Sequence, residues 1–180
     1  MSSDEVVDPL PNILITELPG TPGVGKSYLC QKLQEQLKFK WLDCSKIAKE
    51  NDFIEEYDEE YECPILDEDK LMDYMEPLMQ KGGNIVEYHG CDFFPERWFS
   101  AVFVVTCPNN TVLYDRLKDR NYNDKKLKSN IECEIFGTIL EEAKDSYKSD
   151  IVFELKGETK QDAEQSLKTI KNWYKAWKRK

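Results

Sequence analysis

Gly20 to Ser27, "GTPGVGKS", fits the pattern G-x-x-x-x-G-K-[ST]. Its glycines let the backbone fold into a concave nest whose N–H groups face phosphate oxygens. Within it, Gly20, Gly23 and Gly25 supply the backbone freedom and Lys26 a point charge for the β- and γ-phosphates. The Ser27 hydroxyl can ligate Mg²⁺. The bland reading is a Gly/Pro-rich turn without a ligand. Context decides against it, because the pattern needs a strand before it and a helix after it. "NILIT" (12–16) is a β-branched apolar run, as a buried parallel strand should be. Leu29, Leu33 and Leu37 recur at helical spacing, which starts a helix at about Lys26 with its positive end toward the anion.

A second candidate cluster follows another apolar run, in "EYHGCDFFPERW" (87–98). P-loop proteins use a carboxylate at the end of such a strand to hold Mg²⁺. Here it is Glu87, one C–C bond (~1.5 Å) longer than Asp. His89, the only histidine of the chain, lies two residues on and on the same side of the strand. It is either a hydrogen-bonded structural residue or a group serving a ligand at the carboxyl end of the sheet, where open α/β folds bind. Further along, "LYDRLKDRNYNDKKLKSN" (113–130) sets Arg116 and Arg120 one helical turn apart. They read as a solvated helix end or as cationic clamps on a lid that closes over a triphosphate.

The elements that position these residues alternate. Strands are expected at 12–16, 39–44, 84–89, 101–107 and 150–155, with helices between them. Ile131, Ile135, Ile139 and Ala143 form one apolar stripe, and Leu167, Ile170, Tyr174 and Trp177 another. That order predicts an α/β fold, a five-stranded parallel sheet flanked by helices, in one domain spanning 1–180.

Composition narrows the function classes. No 18-residue apolar stretch and no signal-peptide pattern are present, so a soluble chain without a membrane role is expected. Six scattered cysteines (Cys30, Cys44, Cys63, Cys91, Cys107, Cys133) with no C-x-x-C argue for a reducing compartment, against zinc and against a disulfide framework. The net charge of −10 disfavours nucleic-acid binding by the surface at large and leaves room for a basic protein partner. Residues 52–70 hold ten acidic side chains interleaved with Phe53, Ile54, Tyr57 and Tyr61. This run is a solvated face, a contact for a cationic protein, or a subdomain covering a nucleotide.

Taken together, "PGTPGVGKS", "EEYDEEYECPILDED", "YHGCDFFPERWF" and "CEIF" resemble the adenylate kinase isoenzyme 6 family, the small nuclear adenylate kinase-like proteins also known as coilin-interacting nuclear ATPases. The resemblance runs from about Pro11 to the last helix. It implies a P-loop NTPase of the nucleoside monophosphate kinase type, with an NMP-binding segment near 43–66 and a lid near 119–129. It implies adenylate kinase and ATPase activity with ATP, AMP and Mg²⁺. It further implies a monomer located in nucleus and cytoplasm that matures the small ribosomal subunit with a platform ribosomal protein, not a sequence-specific nucleic-acid binder. By position, Gly23, Gly25, Lys26, Ser27 and Tyr28 line the ATP phosphates, Arg120 contacts ATP from the lid, and Glu87 and His89 take the places of the Asp and His tied to hydrolysis.

Four departures mark this sequence. Glu17-Leu18-Pro19 stand between Thr16 and Gly20, a bulged entrance that Pro19 favours because it lacks an N–H. Tyr28 replaces a Ser/Thr. Lys49 stands where an Arg would grip the AMP phosphate, a point charge in place of a fork. Glu87 replaces Asp. Two other functions use the same residues: an ATP-switched assembly factor in which turnover is incidental, and a small-molecule kinase of the shikimate or gluconate type. Stimulation of ADP release by AMP separates the first reading from both.

Overall fold

A computed structural model describes residues 10–16, 26–58, 63–88, 94–106, 123, 138–157 and 160–178; for 26–27, 56–58, 63–65, 138–139 and 142 only the main chain is described. Strands β1 (Ile13–Thr16), β2 (Lys40–Asp43), β5 (Asn84–Tyr88), β6 (Ala101–Thr106) and β7 (Val152–Lys156) form a parallel sheet in the order β2-β5-β1-β6-β7. Strands β3 (Ile54–Asp58) and β4 (Cys63–Leu66) pair antiparallel as a separate two-stranded sheet. The helices are α1 (Lys26–Leu37), α2 (Cys44–Glu50), α3 (Glu68–Lys81), α4 (Thr138–Ser146) and α5 (Lys160–Lys178).

Both faces of the sheet are covered, which is why its central strands read as unbroken apolar runs. Every residue of β1, β5 and β6 is buried. On one face Ile13, Ile15, Ile85 and Phe103 meet Leu29 and Leu33 of α1 and Leu167, Ile170 and Tyr174 of α5. On the other, Leu14, Val86, Val102 and Val104 meet Leu71, Met75 and Met79 of α3 and Ala143 of α4. Each fully buried Leu, Ile or Phe contributes roughly 1.5–3 kcal/mol, so these two layers dominate stability. The α1 spacing thus does what the sequence implies: Leu29 and Leu33 are fully buried and Leu37 packs at the margin. Of the expected stripe near 131–143, Ala143 is buried, while Ile131 and Ile135 lie outside the described residues.

Polar groups at the amino edge fix the register. Asn84 Nδ2 donates to Asn12 Oδ1 (2.9 Å) and to the Leu78 carbonyl (2.8 Å), and Asn12 Nδ2 donates to the Met79 carbonyl (2.8 Å). Both amides are buried, so losing either partner strands a polar group at a cost of about 1–3 kcal/mol. Gly82 ends α3 with φ 74°. A Cβ there would sit 2.2 Å from the Leu10 carbonyl oxygen, so only glycine lets the chain pass this close.

The segment 43–66 comprises α2 and the β3–β4 hairpin; of the lid expected near 119–129 only Asn123 is described. Among the described residues, no helix is long and apolar enough to cross a membrane.

Candidate nucleotide site

The strand order builds a crevice. The chain leaves β1 toward β2 on one side, and leaves β5 toward β6 on the other. Ligands in open α/β sheets bind outside the carboxyl ends of strands at such a reversal. β1 ends there at Thr16, opposite Tyr88 of β5, and α1 begins at Lys26. The first four amides of a helix have no intrahelical acceptor. No acidic side chain occupies the first turn of α1, so none there offsets its positive end. Gly20, Gly23, Gly25 and the Glu17-Leu18-Pro19 insertion lie outside the described residues, as do the side chains of Lys26 and Ser27.

Glu87 is the described side chain at this edge with the most evident chemistry. In register it stands between Ile15 of β1 and Asp43 of β2. Strand alternation puts it with Ile85 on the α1 face, while Val86 and Tyr88 turn to the other. It is 4% exposed, and its Oε2 accepts a 2.7 Å hydrogen bond from Trp41 Nε1. A buried carboxylate costs several kcal/mol unless charge-assisted bonds or a cation hold it. Among the described residues, no three His, Cys, Asp or Glu side chains cluster as a metal cage. Mg²⁺ needs none: it binds through one or two carboxylates, water and substrate phosphates. One hard, buried oxygen donor at the carboxyl edge of the sheet suits it.

The other expected residues divide. His89, Arg116 and Arg120 lie outside the described residues. Lys49 is exposed in the last turn of α2, where its charge also suits the helix C-terminus. Tyr28, expected at the phosphates, directs its hydroxyl elsewhere: it donates to Glu164 Oε1 of α5 at 2.5 Å, and Lys32 Nζ stands 5.8 Å from its ring centre. That bond to a carboxylate, with desolvation and the Glu164 charge, raises the Tyr28 pKa. The partners are 136 residues apart, so spacing gave no sign of them.

The second half of the "CDFFPERWF" stretch proves architectural. Phe94, Trp98 and Phe99 are buried in the layer beneath α3. Arg97 forms a 2.9 Å ion pair with Glu76 of α3, and Trp98 Nε1 donates to the same carboxylate at 2.6 Å. A cavity of about 370 Å³ opens along the free edge of β2, with Trp41, Lys46, Ile47 and Tyr74 among its walls. It shares Trp41 with the Glu87 site.

Comparison with known proteins agrees with this geometry. Residues 13–137 match the family described as AAA domain. The adenylate kinase isoenzyme 6 homolog of Drosophila melanogaster is 77% identical over 178 residues, covering 99% of each chain. The homolog of Saccharomyces cerevisiae is 44% identical, covering 93% of this chain and 83% of its own. The chain belongs to the adenylate kinase isoenzyme 6 family. In fold, this family member is similar to the shikimate kinase of Bacteroides thetaiotaomicron (TM-score 0.57, 13% identity, 92% of this chain and 98% of that one). It is likewise similar to a gluconokinase of Sinorhizobium meliloti (TM-score 0.50, 15% identity, 91% and 95%). At such identities the likeness concerns architecture, and the acceptor is a separate question.

Proposed function

We propose that this chain binds ATP with Mg²⁺, transfers the γ-phosphoryl group to AMP to give two ADP, and also hydrolyses ATP. The observation that carries the reading is the buried Glu87 carboxylate, set one strand from the end of β1 at the crevice that α1 faces. The identity to proteins named adenylate kinase isoenzyme 6 homologs supports the nucleotide chemistry.

Phosphoryl transfer asks for positioning and positive charge more than covalent chemistry. The nest 20–27 and the α1 amides hold the phosphates, and Lys26 places its ammonium at the β/γ oxygens. Ser27 and Glu87 would hold Mg²⁺, which when bound would supply positive charge against the phosphate oxygens. Arg116 and Arg120 clamp the triphosphate from the lid, Lys49 attracts the AMP phosphate, and His89 orients the attacking water in hydrolysis. Calorimetry on Lys26→Ala tests the nest. ATP affinity should fall by at least about tenfold, the scale of one charge-assisted hydrogen bond. Unchanged affinity removes the P-loop from this account.

A second reading rests on the β3–β4 hairpin, which among the described residues pairs with no strand of the main sheet and includes part of the acidic run. In it, nucleotide controls the binding of a basic small-subunit ribosomal protein in nucleus and cytoplasm, and kinase turnover is incidental.

A further inference from the structure

We propose that Trp41 is a positioning residue for Glu87: its indole N–H fixes the rotamer from which the carboxylate serves the nucleotide site. The inference rests on reading Glu87 as the carboxylate that faces the phosphates. A glutamate has three side-chain torsions, and its terminal one is broad and roughly two-fold. Left to itself, such a carboxylate samples several directions. The 2.7 Å bond from Trp41 Nε1 commits Oε2 to one direction and restrains the group from turning. The donor comes from the neighbouring strand at a fixed offset. Trp41 pairs in register with Ile85, and Glu87 pairs with Asp43, so the indole reaches toward the carboxyl edge to meet it.

A purely architectural role is a poor match to the surroundings. Trp41 packs only at the margin of the core, partly buried on an edge strand, with the open β2 cavity on one side. An apolar residue opposite a phenyl ring would pack there without the desolvation of a carboxylate. Donor and carboxylate earn their place together through the direction that the bond imposes. Outer partners of this kind typically change activity or metal affinity by about 10–100-fold when removed.

Trp41→Phe keeps an aromatic ring and removes the donor. Its kcat for ATP turnover should fall about tenfold or more, with KM for ATP within about twofold, while the melting temperature drops only by the cost of leaving a buried carboxylate with one donor fewer. Proton–nitrogen NMR gives a readout independent of turnover and of whether that variant folds. The Trp41 indole resonance should move upfield in Glu87→Gln and should shift in the wild type when Mg·ATP is added. Wild-type kcat in Trp41→Phe, or an indole resonance indifferent to both changes, overturns the proposal. A kcat that falls only at temperatures where Trp41→Phe is already partly unfolded also overturns it, in favour of simple packing. The two readings fail differently. Wild-type protein without Lys26-dependent ATP turnover sinks the kinase reading, whereas an active wild type with an equally active Trp41→Phe sinks only this one.

Discussion

Glu87 and Glu76 are both held by an indole N–H, yet they serve different ends. Glu87 is buried at the carboxyl edge of the sheet, beside the end of β1. Glu76 sits on α3, where Arg97 and Trp98 fasten the turn at 96–98 to the helix. Desolvation pushes the Glu76 carboxyl up, but the hydrogen bonds from Arg97 and Trp98 together with the Arg97 charge outweigh it, and its pKa lies below the ordinary value. A folded-state pKa below the unfolded one stabilises the protein above the unfolded pKa, and that contribution is lost as pH falls through the folded pKa. Glu76→Gln should therefore melt lower than wild type at about pH 7, and the gap should narrow in acid, as pH falls through the lowered folded-state pKa. Melting curves at neutral and acid pH check this. A gap of equal size at both means that the latch acts through shape and not through charge. The sequence showed "YHGCDFFPERWF" as part of the family resemblance but not this task, because Glu76 lies 21 residues upstream of Arg97 and no periodicity links them. The Trp41–Glu87 bond, spanning 46 residues, was hidden for the same reason.

At the scale of elements, legibility followed burial. The five strands of the main sheet fall within two residues of their expected bounds, because each central strand is a β-branched run flanked by turn residues. The start of α1 at Lys26 was legible from Leu29, Leu33 and Leu37. The β3–β4 hairpin was not. "IEEYD" is rich in residues depleted from strands, and its pairing comes from backbone hydrogen bonds that leave no apolar period. The acidic run thus reads as surface charge, yet part of it is an ordered ribbon with an irregular step between Ile54 and Glu56. A ribbon bearing such charge attracts a basic protein from a distance. Replacing Glu55, Glu56, Glu59 and Glu60 with Gln should slow association with a basic small-subunit ribosomal protein by about tenfold at low salt. It should also flatten the salt dependence and leave ATP affinity alone. Stopped-flow association at two ionic strengths reads it, and an unchanged on-rate and salt slope would make the run a solvated face only.

At the scale of the whole molecule, a sheet covered on both faces presents one crevice at the reversal of strand order, and β1, β5 and α1 converge on it. Sequence alone pointed to that convergence, since strand, loop and helix follow one another from 12 to 37. It could not point to how Tyr28 ties α1 to α5 through Glu164, a contact that fixes the P-loop helix to the end of the chain. The central claim is phosphoryl transfer from ATP to AMP at this crevice. Its most direct test is ADP release measured with ATP alone, with ATP plus AMP, and with both for Lys26→Ala. The account predicts that AMP raises ADP output above plain hydrolysis, with two ADP formed for each AMP consumed, and that Lys26→Ala is silent in every arm. ADP output that AMP leaves unchanged would contradict it and leave a hydrolytic switch in place of a kinase.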